Sequence, residues 1–179
     1  MRKLRHEEID RPSLETVRLI PRHPITVILD NVRSVHNVGS IFRTSDGALI
    51  ERIILTGITA TPEHPQVHKA ALGAQDTVPW NYEPKATVAI GNLRKLGYMI
   101  AALELTDSPM VISALTREQF PLCLLVGNEL SGVDEHLIDQ ADCALEIPQY
   151  GAKHSLNVAV AYGIAIFDLI KILRGHPEV

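Results

Sequence analysis

Five apolar runs of strand length recur along this chain, with amphipathic stretches between them. The runs are ITVILD, RIILTG, YMIAALEL, PLCLLVG and CALEIP, at residues 25–30, 52–57, 98–105, 121–127 and 143–148. The stretches between and after them favour helices at roughly 37–48, 66–73, 85–96, 133–140 and 156–173. Such alternation is typical of an α/β fold with a parallel sheet and helices on both faces. The sequence therefore predicts that fold class.

The size of the chain limits it to one compact core. Its 179 residues are 46% hydrophobic, which is material for one core and hardly for two. We predict an N-terminal basic arm or helical extension over residues 1–22, followed by one domain over residues 23–179. Cys123 and Cys143 lie in apolar stretches, where a cysteine usually acts as a small buried hydrophobe and not as half of a disulfide.

The last predicted helix, LNVAVAYGIAIFDLIKIL, is apolar around nearly its whole circumference. Such a helix must be covered on all sides. Asn157, Asp168 and Lys171 interrupt it, which argues against a membrane span. We expect one face to pack on the sheet and the other on a second subunit. The alternative is complete burial within one domain, but a chain this short has little left to cover the helix.

The charge of the chain is unevenly distributed. A net charge of −4 argues against a protein that coats nucleic acid. Residues 1–69 nevertheless carry ten Lys and Arg against eight Asp and Glu, whereas residues 70–179 carry seven against thirteen. The basic residues of the arm are Arg2, Lys3, Arg5, Arg11, Arg18 and Arg22. They suit contact with a phosphate backbone, and an ordinary solvated terminus explains them equally well. The terminus has no apolar run typical of a signal peptide, so a cytoplasmic location is expected.

Several common ligand sites of α/β sheets are missing. No G-x-G-x-x-G follows the first strand, as a dinucleotide site requires. Gly127 and Gly132 have the spacing of a phosphate-binding loop, but Val133 and Asp134 stand where Lys and Ser or Thr are needed. His64 and His68 are spaced i, i+4, yet no further ligand is spaced to join them. We therefore expect no metal site.

Polar residues follow three of the strands, and ligands of open α/β sheets bind at such strand ends. After Asp30, Asn37 is predicted to be an N-cap, Gly39 to permit close approach of a ligand or a backbone, and Arg43 to project from the second helical turn. A capped helix with a surface arginine is the simpler alternative. Glu129 follows the strand PLCLLVG, where a carboxylate complementing a helix dipole is the alternative.

The third segment follows the strand that ends at Pro148. Ser155 is predicted to cap the last helix. Asn157 is predicted to lie on the buried side of that helix, where its amide needs partners.

Together the three segments resemble the signature motifs of the SpoU (TrmH) branch of the SPOUT RNA 2′-O-methyltransferases. They read NVGSIFR, GNELSGV and IPQYGAKHSLNVAVA, at residues 37–43, 127–133 and 147–161, and the resemblance extends from about residue 25 to 173. It implies a deep trefoil knot at the C-terminal end, which the periodicity of the sequence does not indicate. It also implies S-adenosyl-L-methionine as cofactor and a homodimer formed through the knot region and the C-terminal helix. By motif position, Gly127, Ile147 and Leu156 are expected to bind the cofactor, with Leu103 as a fourth residue.

The resemblance gives Arg43 the central role in methyl transfer to a ribose 2′-hydroxyl. A guanidinium with a pKa above about 12 is a poor general base, so we prefer a role in gripping the adjacent phosphate and stabilising the developing alkoxide. Asn37, Glu129, Ser155 and Asn157 are then expected to hold Arg43 and the ribose in register. In the dimer, Arg43 is expected to act beside the cofactor of the partner subunit.

The substrate expected from the resemblance is a guanosine ribose in tRNA, with rRNA as the second choice. Only about two dozen residues precede the first strand, so recognition is expected to use the basic arm, the domain surface or another protein. The first motif looks more like that of guanosine enzymes than of wobble-position enzymes, whose Pro-Pro-Asn-Thr-Gly sequence is absent. Two alternatives stay open: a non-catalytic RNA-binding or assembly protein with the same fold, and a flavodoxin-like nucleotide-binding regulator, which the missing phosphate loop disfavours.

Overall fold

A computed structural model of the chain describes residues 1–9 and 12–175. Arg11 of the predicted basic arm and residues 176–179 of the predicted domain lie outside the described residues.

Seven strands form one sheet in which every neighbouring pair is parallel. They are β1 (His23–Asp30), β2 (Ile50–Thr56), β3 (Trp80–Glu83), β4 (Met99–Leu103), β5 (Met110–Val111), β6 (Leu122–Val126) and β7 (Cys143–Glu146). Their order across the sheet is β3-β2-β1-β6-β4-β7-β5. The first three strands thus extend the sheet from β1 to the edge at β3. The chain then crosses back, and β4 to β7 form the other half.

In the described part of the chain, six α-helices accompany the strands. They are α1 (Leu14–Leu19), α2 (Val35–Gly47), α3 (Pro65–Ala71), α4 (Ala86–Lys95), α5 (Glu135–Ile138) and α6 (Val158–Arg174). Short 3-10 turns lie at His6–Glu8, Ala74–Asp76, Ile112–Ala114 and Arg117–Gln119.

The core has two layers, one on each face of the sheet. Alternate residues of a strand point to opposite faces, so Val27 and Leu29 of β1 join the core under α2, α3 and α6, whereas Ile28 joins the core under α4 and α5. All three side chains are fully buried. The predicted α/β class, with a parallel sheet and helices on both faces, is confirmed.

The five predicted strands and five predicted helices all occur, displaced by a few residues at their ends. Strands β3 and β5 were not predicted, and helix α1 lies in the segment 1–22, which was expected to be a basic arm or a helical extension. Strand β3 reads WNYE and lies at the sheet edge, and β5 has two exposed residues. Because an edge strand is covered less than a central one, neither carries the apolar run by which a buried strand is recognised.

Helix α2 is fixed by a close contact and a buried hydrogen bond. A Cβ atom at Gly39 would lie 2.4 Å from the Cβ of Ala70, so the close approach that Gly39 permits is that of α3. On another side of α2, the hydroxyls of Ser45 and Tyr162 share a hydrogen bond of 2.6 Å inside the core. Helices α2 and α6 are therefore held together by a polar pair that solvent does not reach.

Helix α6 has one covered face and one open face. Tyr162, Ala165, Ile166 and Leu169 are fully buried against the sheet and α2, as predicted for one face. On the other face the large apolar residues remain exposed: Leu156 just before the helix at 39%, then Val160 at 51%, Ile164 at 40% and Phe167 at 45%. None of the described helices is both long and apolar enough to cross a bilayer.

Neither cysteine forms a disulfide, as predicted. Cys123 is fully buried in β6 and Cys143 is half-buried in β7. Burial raises the pKa of both thiols, so neither has the character of a reactive thiolate.

Candidate functional site

A cleft of about 420 Å³ opens beyond the carboxyl ends of β4, β6 and β7, which are neighbours in the sheet. Its walls are the three segments that leave these strands, at residues 103–105, 126–132 and 145–158. Leu103, Gly127, Ile147 and Leu156, which the motifs suggested as cofactor-binding residues, all line it. The sheet order brings them together although Leu103 and Leu156 are far apart in the chain.

Two positions in the loop after β6 require glycine. Asn128 and Gly132 exchange two backbone hydrogen bonds of 2.9 Å, which closes residues 128–132 into a tight loop. A Cβ atom at Gly127 would lie 2.3 Å from the carbonyl oxygen of Gly132, and Gly132 itself has a φ of +71°. The Asn128 side chain accepts from the amides of Leu130 and Ser131 at 2.8 and 3.2 Å. The wall of the cleft is therefore pre-formed.

Glu104, which sequence reasoning missed, connects two walls of the cleft. Its carboxylate accepts hydrogen bonds from the amide of Val133 at 2.8 Å and from the amide of Leu105 at 2.9 Å. This carboxylate lies against Gly132, where a Cβ atom would be only 2.2 Å from it. The sequence signal available was an acidic residue at the carboxyl end of an apolar strand, next to Leu103.

The electrostatic character of the cleft suits a positively charged ligand. Glu104, Glu129 and Glu146 all line it, and no Lys or Arg does so among the described residues. A cleft with carboxylates and no basic side chain disfavours the phosphates of a nucleotide or flavin and favours a cation. Leu103, Ile147 and Leu156 supply the apolar surface that the planar part of such a ligand needs.

Glu129 stands at the centre of a hydrogen-bond network at the mouth of the cleft. Its carboxylate accepts from the backbone amides of Arg33 and Ser34, each at 2.9 Å, and from the side-chain amide of Asn37 at 2.8 Å. The oxygen of that Asn37 amide accepts from the Asn157 side chain at 3.1 Å. Three segments far apart in sequence thus converge at one point.

The network keeps Glu129 ionised. Partial burial by itself raises the pKa of Glu129, but the hydrogen bonds from Arg33, Asn37 and Ser34, together with one from its own amide, outweigh burial and leave the pKa below its ordinary value. At neutral pH the group is therefore a carboxylate that can only accept hydrogen bonds.

Three predictions about helix starts are wrong. Asn37 is not the N-cap of α2: Ser34 is, and its hydroxyl accepts from the Asn37 amide, because the helix begins two residues earlier than predicted. Asn157 is not on the buried side of α6: it is exposed and is itself the N-cap, with its Oδ1 accepting from Ala159 and Val160 at 3.0 and 3.3 Å.

Ser155 therefore does not cap α6. It lies two residues before the cap, exposed, in the segment that lines the cleft. Ser34 and Asn157 cap the two helices, so Asn37 and Ser155 do not. The Asn37 side chain is left to bond Glu129, and Ser155 faces the cleft.

Arg43 lies outside the cleft of its own chain. It is exposed, on a part of α2 beyond Asn37, and the cleft of its chain is lined without it. Six residues separate Asn37 from Arg43, so the two side chains leave the helix in different directions. The structure thus brings together Asn37, Glu129, Ser155 and Asn157, and leaves Arg43 apart from them in a single chain.

The histidines have other positions. His154 lines the cleft and His36 is exposed on α2. His64 caps α3 by accepting from the Gln66 amide at 3.2 Å, and His68 is exposed. Among residues 1–9 and 12–175, no three His, Cys, Asp or Glu side chains cluster as metal ligands would.

A protein-family model matches most of the chain. The model of the SpoU rRNA Methylase family aligns with residues 24–167, which include all of the sheet but His23 and all three walls of the cleft.

Individual relatives agree with the family match. The 23S rRNA (guanosine-2′-O-)-methyltransferase RlmB of Nitrosomonas europaea is 29% identical over 147 residues, which are 82% of this chain and 56% of that protein. The corresponding protein of Blochmanniella floridana is 28% identical over 83% of this chain and 58% of its own length. The chain thus spans little more than half the length of these relatives.

Solved structures share the fold. An AdoMet-bound rRNA methyltransferase from Sinorhizobium meliloti has a TM-score of 0.77 at 31% identity, over 87% of this chain and 59% of that one. A TrmH/SpoU tRNA modifying enzyme from A. aeolicus has a TM-score of 0.79 at 27% identity, over 90% of this chain and 82% of that one.

Proposed function

Since the chain belongs to the SpoU rRNA methylase family, we propose that it is an RNA methyltransferase that uses S-adenosylmethionine to methylate a ribose 2′-hydroxyl. The observation that carries this proposal is the network of Asn37, Glu129 and Asn157 at the mouth of the cleft. It unites polar residues from all three motifs beside a cleft that suits a cationic cofactor.

The cleft fits S-adenosylmethionine by charge and shape. The cofactor supplies a methyl group on a positively charged sulfonium. Carboxylates without basic neighbours stabilise such a charge, and the apolar side chains of Leu103, Ile147 and Leu156 suit an adenine ring. Gly127 has no side chain and so lines the cleft with backbone atoms alone. These four residues would hold the cofactor.

The polar residues around the cleft would position the ribose. Glu129 fixes the orientation of the Asn37 amide, and Asn37 fixes Asn157, so the network is rigid before RNA binds. Ser155 lies beside the cleft with its hydroxyl free to hydrogen-bond a sugar. Preorganised groups of this kind contribute to catalysis by aligning the reacting atoms.

Arg43 would act in the cleft of a partner subunit within a homodimer. The exposed apolar face of α6, from Leu156 to Phe167, begins at the cleft and ends beside α2: the ring of Phe167 lies 3.9 Å from where a Cβ atom at Gly47 would be. A second copy that covers this face contacts both the cleft and the end of α2 that carries Arg43. In a two-fold dimer, each arginine would then approach the other subunit's cleft.

At that position Arg43 would bind the phosphate next to the target ribose and stabilise the oxygen as it loses its proton. A guanidinium donates hydrogen bonds to phosphate in a planar, bidentate manner and does not readily accept a proton. In this scheme a group of the RNA or a water molecule accepts the proton of the 2′-hydroxyl.

We propose in addition that the C-terminal segment is knotted, as in the family it resembles. Supporting this, the chain leaves β7 in the interior of the sheet, lines the cleft through residues 145–158, and returns as α6 to pack on α2 and on the turn Ile112–Ala114. A threaded segment would give the cleft walls a rigidity that separate loops lack.

The substrate we propose is a guanosine in rRNA, with tRNA as the second choice. The sequence alone favoured the opposite order. The names of the two curated relatives and of the Sinorhizobium enzyme refer to rRNA, and the first two specify guanosine. The A. aeolicus relative, named for tRNA, keeps tRNA as the alternative. Either substrate would place the activity in the cytoplasm.

Two measurements test the proposal together. Calorimetry with S-adenosylmethionine should show saturable one-to-one binding. Mass spectrometry of nucleosides from cells lacking the gene should show loss of one 2′-O-methylated nucleoside from rRNA, restored by the intact gene. A chain that binds no S-adenosylmethionine and whose loss changes no nucleoside would support the runner-up, a non-catalytic RNA-binding or assembly protein, which the acidic net charge motivates.

A further inference from the structure

A second cleft, of about 290 Å³, lies far from the strand ends described above. It is formed by α1, the residue before β1, and the segment that leads into β3. It therefore opens at the amino ends of the strands. The residues that give it chemical character are Arg18, Arg22, Gln75, Asp76, Thr77 and Trp80.

Gln75 carries an unsatisfied acceptor in this cleft. The residue is only 7% exposed, and its Nε2 donates to the Asp76 carboxylate at 3.1 Å. Its Oε1 is buried and has no hydrogen-bond partner among the described residues. A buried carbonyl without a donor is costly and uncommon. Water does not reach this oxygen, so a ligand in the cleft finds its acceptor in the exposed Asp76 carboxylate, which the Gln75 amide holds in place.

Two arginines supply positive charge to the same cleft. Arg22 is half-buried and donates to the carbonyl oxygens of Ile50, at 3.0 Å, and of Thr77. Arg18 is exposed and reaches the Asp76 carbonyl at 3.4 Å. Neither forms an ion pair with a carboxylate within the described part of the chain. Both guanidinium groups keep N–H donors for an anion.

An aromatic ring and a carboxylate complete the lining. Trp80, half-buried at the start of β3, lies at the cleft, where an indole can stack on a planar ligand. The Asp76 carboxylate offsets part of the positive charge, so the site is poorly suited to an isolated phosphate. A planar group with N–H donors, joined to a phosphate, matches all of these features. A nucleotide has that chemistry.

The cleft lies near Arg43. The hydroxyl of Thr77 donates to the Asp46 carboxylate at 2.5 Å, and Asp46 follows Arg43 by three residues on α2. Residues three apart lie one above the other on a helix surface, about one turn apart. An RNA strand whose phosphate is held by Arg43 would therefore pass within a short distance of this cleft.

We propose that this second cleft binds one nucleotide of the RNA substrate, other than the nucleotide that is methylated. Its base lies against Trp80 and donates an N–H to the Asp76 carboxylate, and its phosphate contacts Arg18 and Arg22. The proposal rests on the proposed function for the identity of the ligand as RNA, and its role is to select and orient the substrate.

Trp80 is the single tryptophan of the chain, so intrinsic fluorescence reports on this cleft alone. We would titrate the protein with the four nucleoside 5′-monophosphates, a short single-stranded oligoribonucleotide and inorganic phosphate. We expect a saturable change in emission with the oligoribonucleotide and with at least one mononucleotide, and none with inorganic phosphate. An equal response to inorganic phosphate, or no saturable response to any nucleotide, would overturn the proposal.

Variants identify the contacts. Gln75→Leu removes, with little change in size, the amide that holds the Asp76 carboxylate, and Arg18→Ala removes an exposed cation. Each should weaken oligoribonucleotide binding on the order of tenfold, the effect of one lost hydrogen bond to a buried or charged group. Lys95→Ala removes an exposed charge on α4 and should change nothing. Unaltered binding by both cleft variants contradicts the assignment, and circular dichroism melting checks that Gln75→Leu folds.

Methylation assays separate this proposal from the proposed function. With the correct RNA, both cleft variants should raise KM about tenfold and leave kcat unchanged, because they alter binding remote from the reacting atoms. Normal methyl transfer with an unchanged KM in both variants would overturn the second site alone. A saturable tryptophan signal in a protein without any methyl transfer would support a nucleotide site and contradict the proposed function.

Discussion

The side-chain amide of Asn157 donates a hydrogen bond to the side-chain oxygen of Asn37 at 3.1 Å, across 120 positions of the chain. Asn37 in turn donates to Glu129 at 2.8 Å. Each residue comes from a different motif, and each belongs to a different segment around the cleft. The contact makes the start of α6, the first turn of α2 and the loop after β6 a single unit.

Arg43→Ala should abolish most methyl transfer without disturbing the fold. The side chain is exposed, so its loss leaves no cavity. Removing one donor that stabilises a developing oxyanion lowers kcat by about 10²- to 10³-fold. Transfer of a labelled methyl group to RNA measures the effect, with calorimetry to verify that S-adenosylmethionine still binds. Full activity of this variant would defeat the proposed role.

Mixing two inactive variants should restore activity if Arg43 serves the partner's cleft. Gly127→Ala displaces the loop that forms one wall of the cleft, and Arg43→Ala leaves the cleft intact. In a mixed dimer, one cleft is open and receives Arg43 from the other subunit. Equal mixing should recover about a quarter of the activity, since half the dimers are mixed and each has one working site. No recovery after subunit exchange would argue for action within one chain.

Phe167→Glu should weaken the proposed homodimer. Phe167 is 45% exposed on the open face of α6, and a charge at the centre of an apolar interface loses the burial of the ring and leaves a carboxylate unpaired. Sedimentation should show a shift from dimer to monomer at micromolar concentration. Val88→Glu, at a similarly exposed residue of α4, serves as the control and should leave the dimer intact. Equal sedimentation of both variants would remove α6 from the interface.

Glu129→Gln should lower stability in a pH-dependent manner. The folded-state pKa of Glu129 lies below the unfolded value of about 4.3. The resulting stabilisation is present above the unfolded pKa and is lost as pH falls through the folded pKa. We expect the variant's free energy of unfolding to be about 1 kcal/mol lower than that of the wild type at pH 7. This difference should narrow below a pH of about 4. Urea unfolding at neutral pH and at acidic pH measures this difference. Glu7→Gln, which removes an exposed carboxylate, is the control.

Gly127→Ala should abolish cofactor binding, whereas Gly91→Ala should not. A Cβ atom at Gly127 meets the Gly132 carbonyl at 2.3 Å, so the loop after β6 must move. Gly91 lies within α4 with no atom within 4 Å of the added carbon, and alanine there should stabilise the protein by about 0.5 to 1 kcal/mol. Calorimetry and thermal melting of the two variants test the contrast. Wild-type affinity in Gly127→Ala would show that the loop is not part of the binding site.

The sequence predicted those features that depend on local patterns. Buried strands such as ITVILD and PLCLLVG carry continuous apolar runs, so the sheet followed from them, whereas the residues proposed to bind the cofactor came from the family resemblance. The first residues of the helices were not predicted correctly, because Ser34 and Asn157 stand near other residues that also cap helices well. Strand β3, at the sheet edge, has no pattern that distinguishes it from a loop.

The second cleft had no local signal at all. Arg18 and Gln75 lie in unrelated segments, and only the placement of α1 beside the turn that precedes β3 brings them together. Glu104 was missed for the same reason, because its partner Val133 is 29 residues away. Contacts that depend on tertiary packing require the fold before they become visible.

The last wall of the cleft is made of residues 145–158, which the ribosome adds after the other two walls. A nascent polypeptide that has completed β6 possesses the glycine loop but has neither Ile147 nor Leu156 to close the adenine side. The binding site therefore cannot exist on the ribosome until this segment has emerged from the exit tunnel. Any chaperone or ligand that recognises the finished cleft can act only after residues 145–158 have been synthesised.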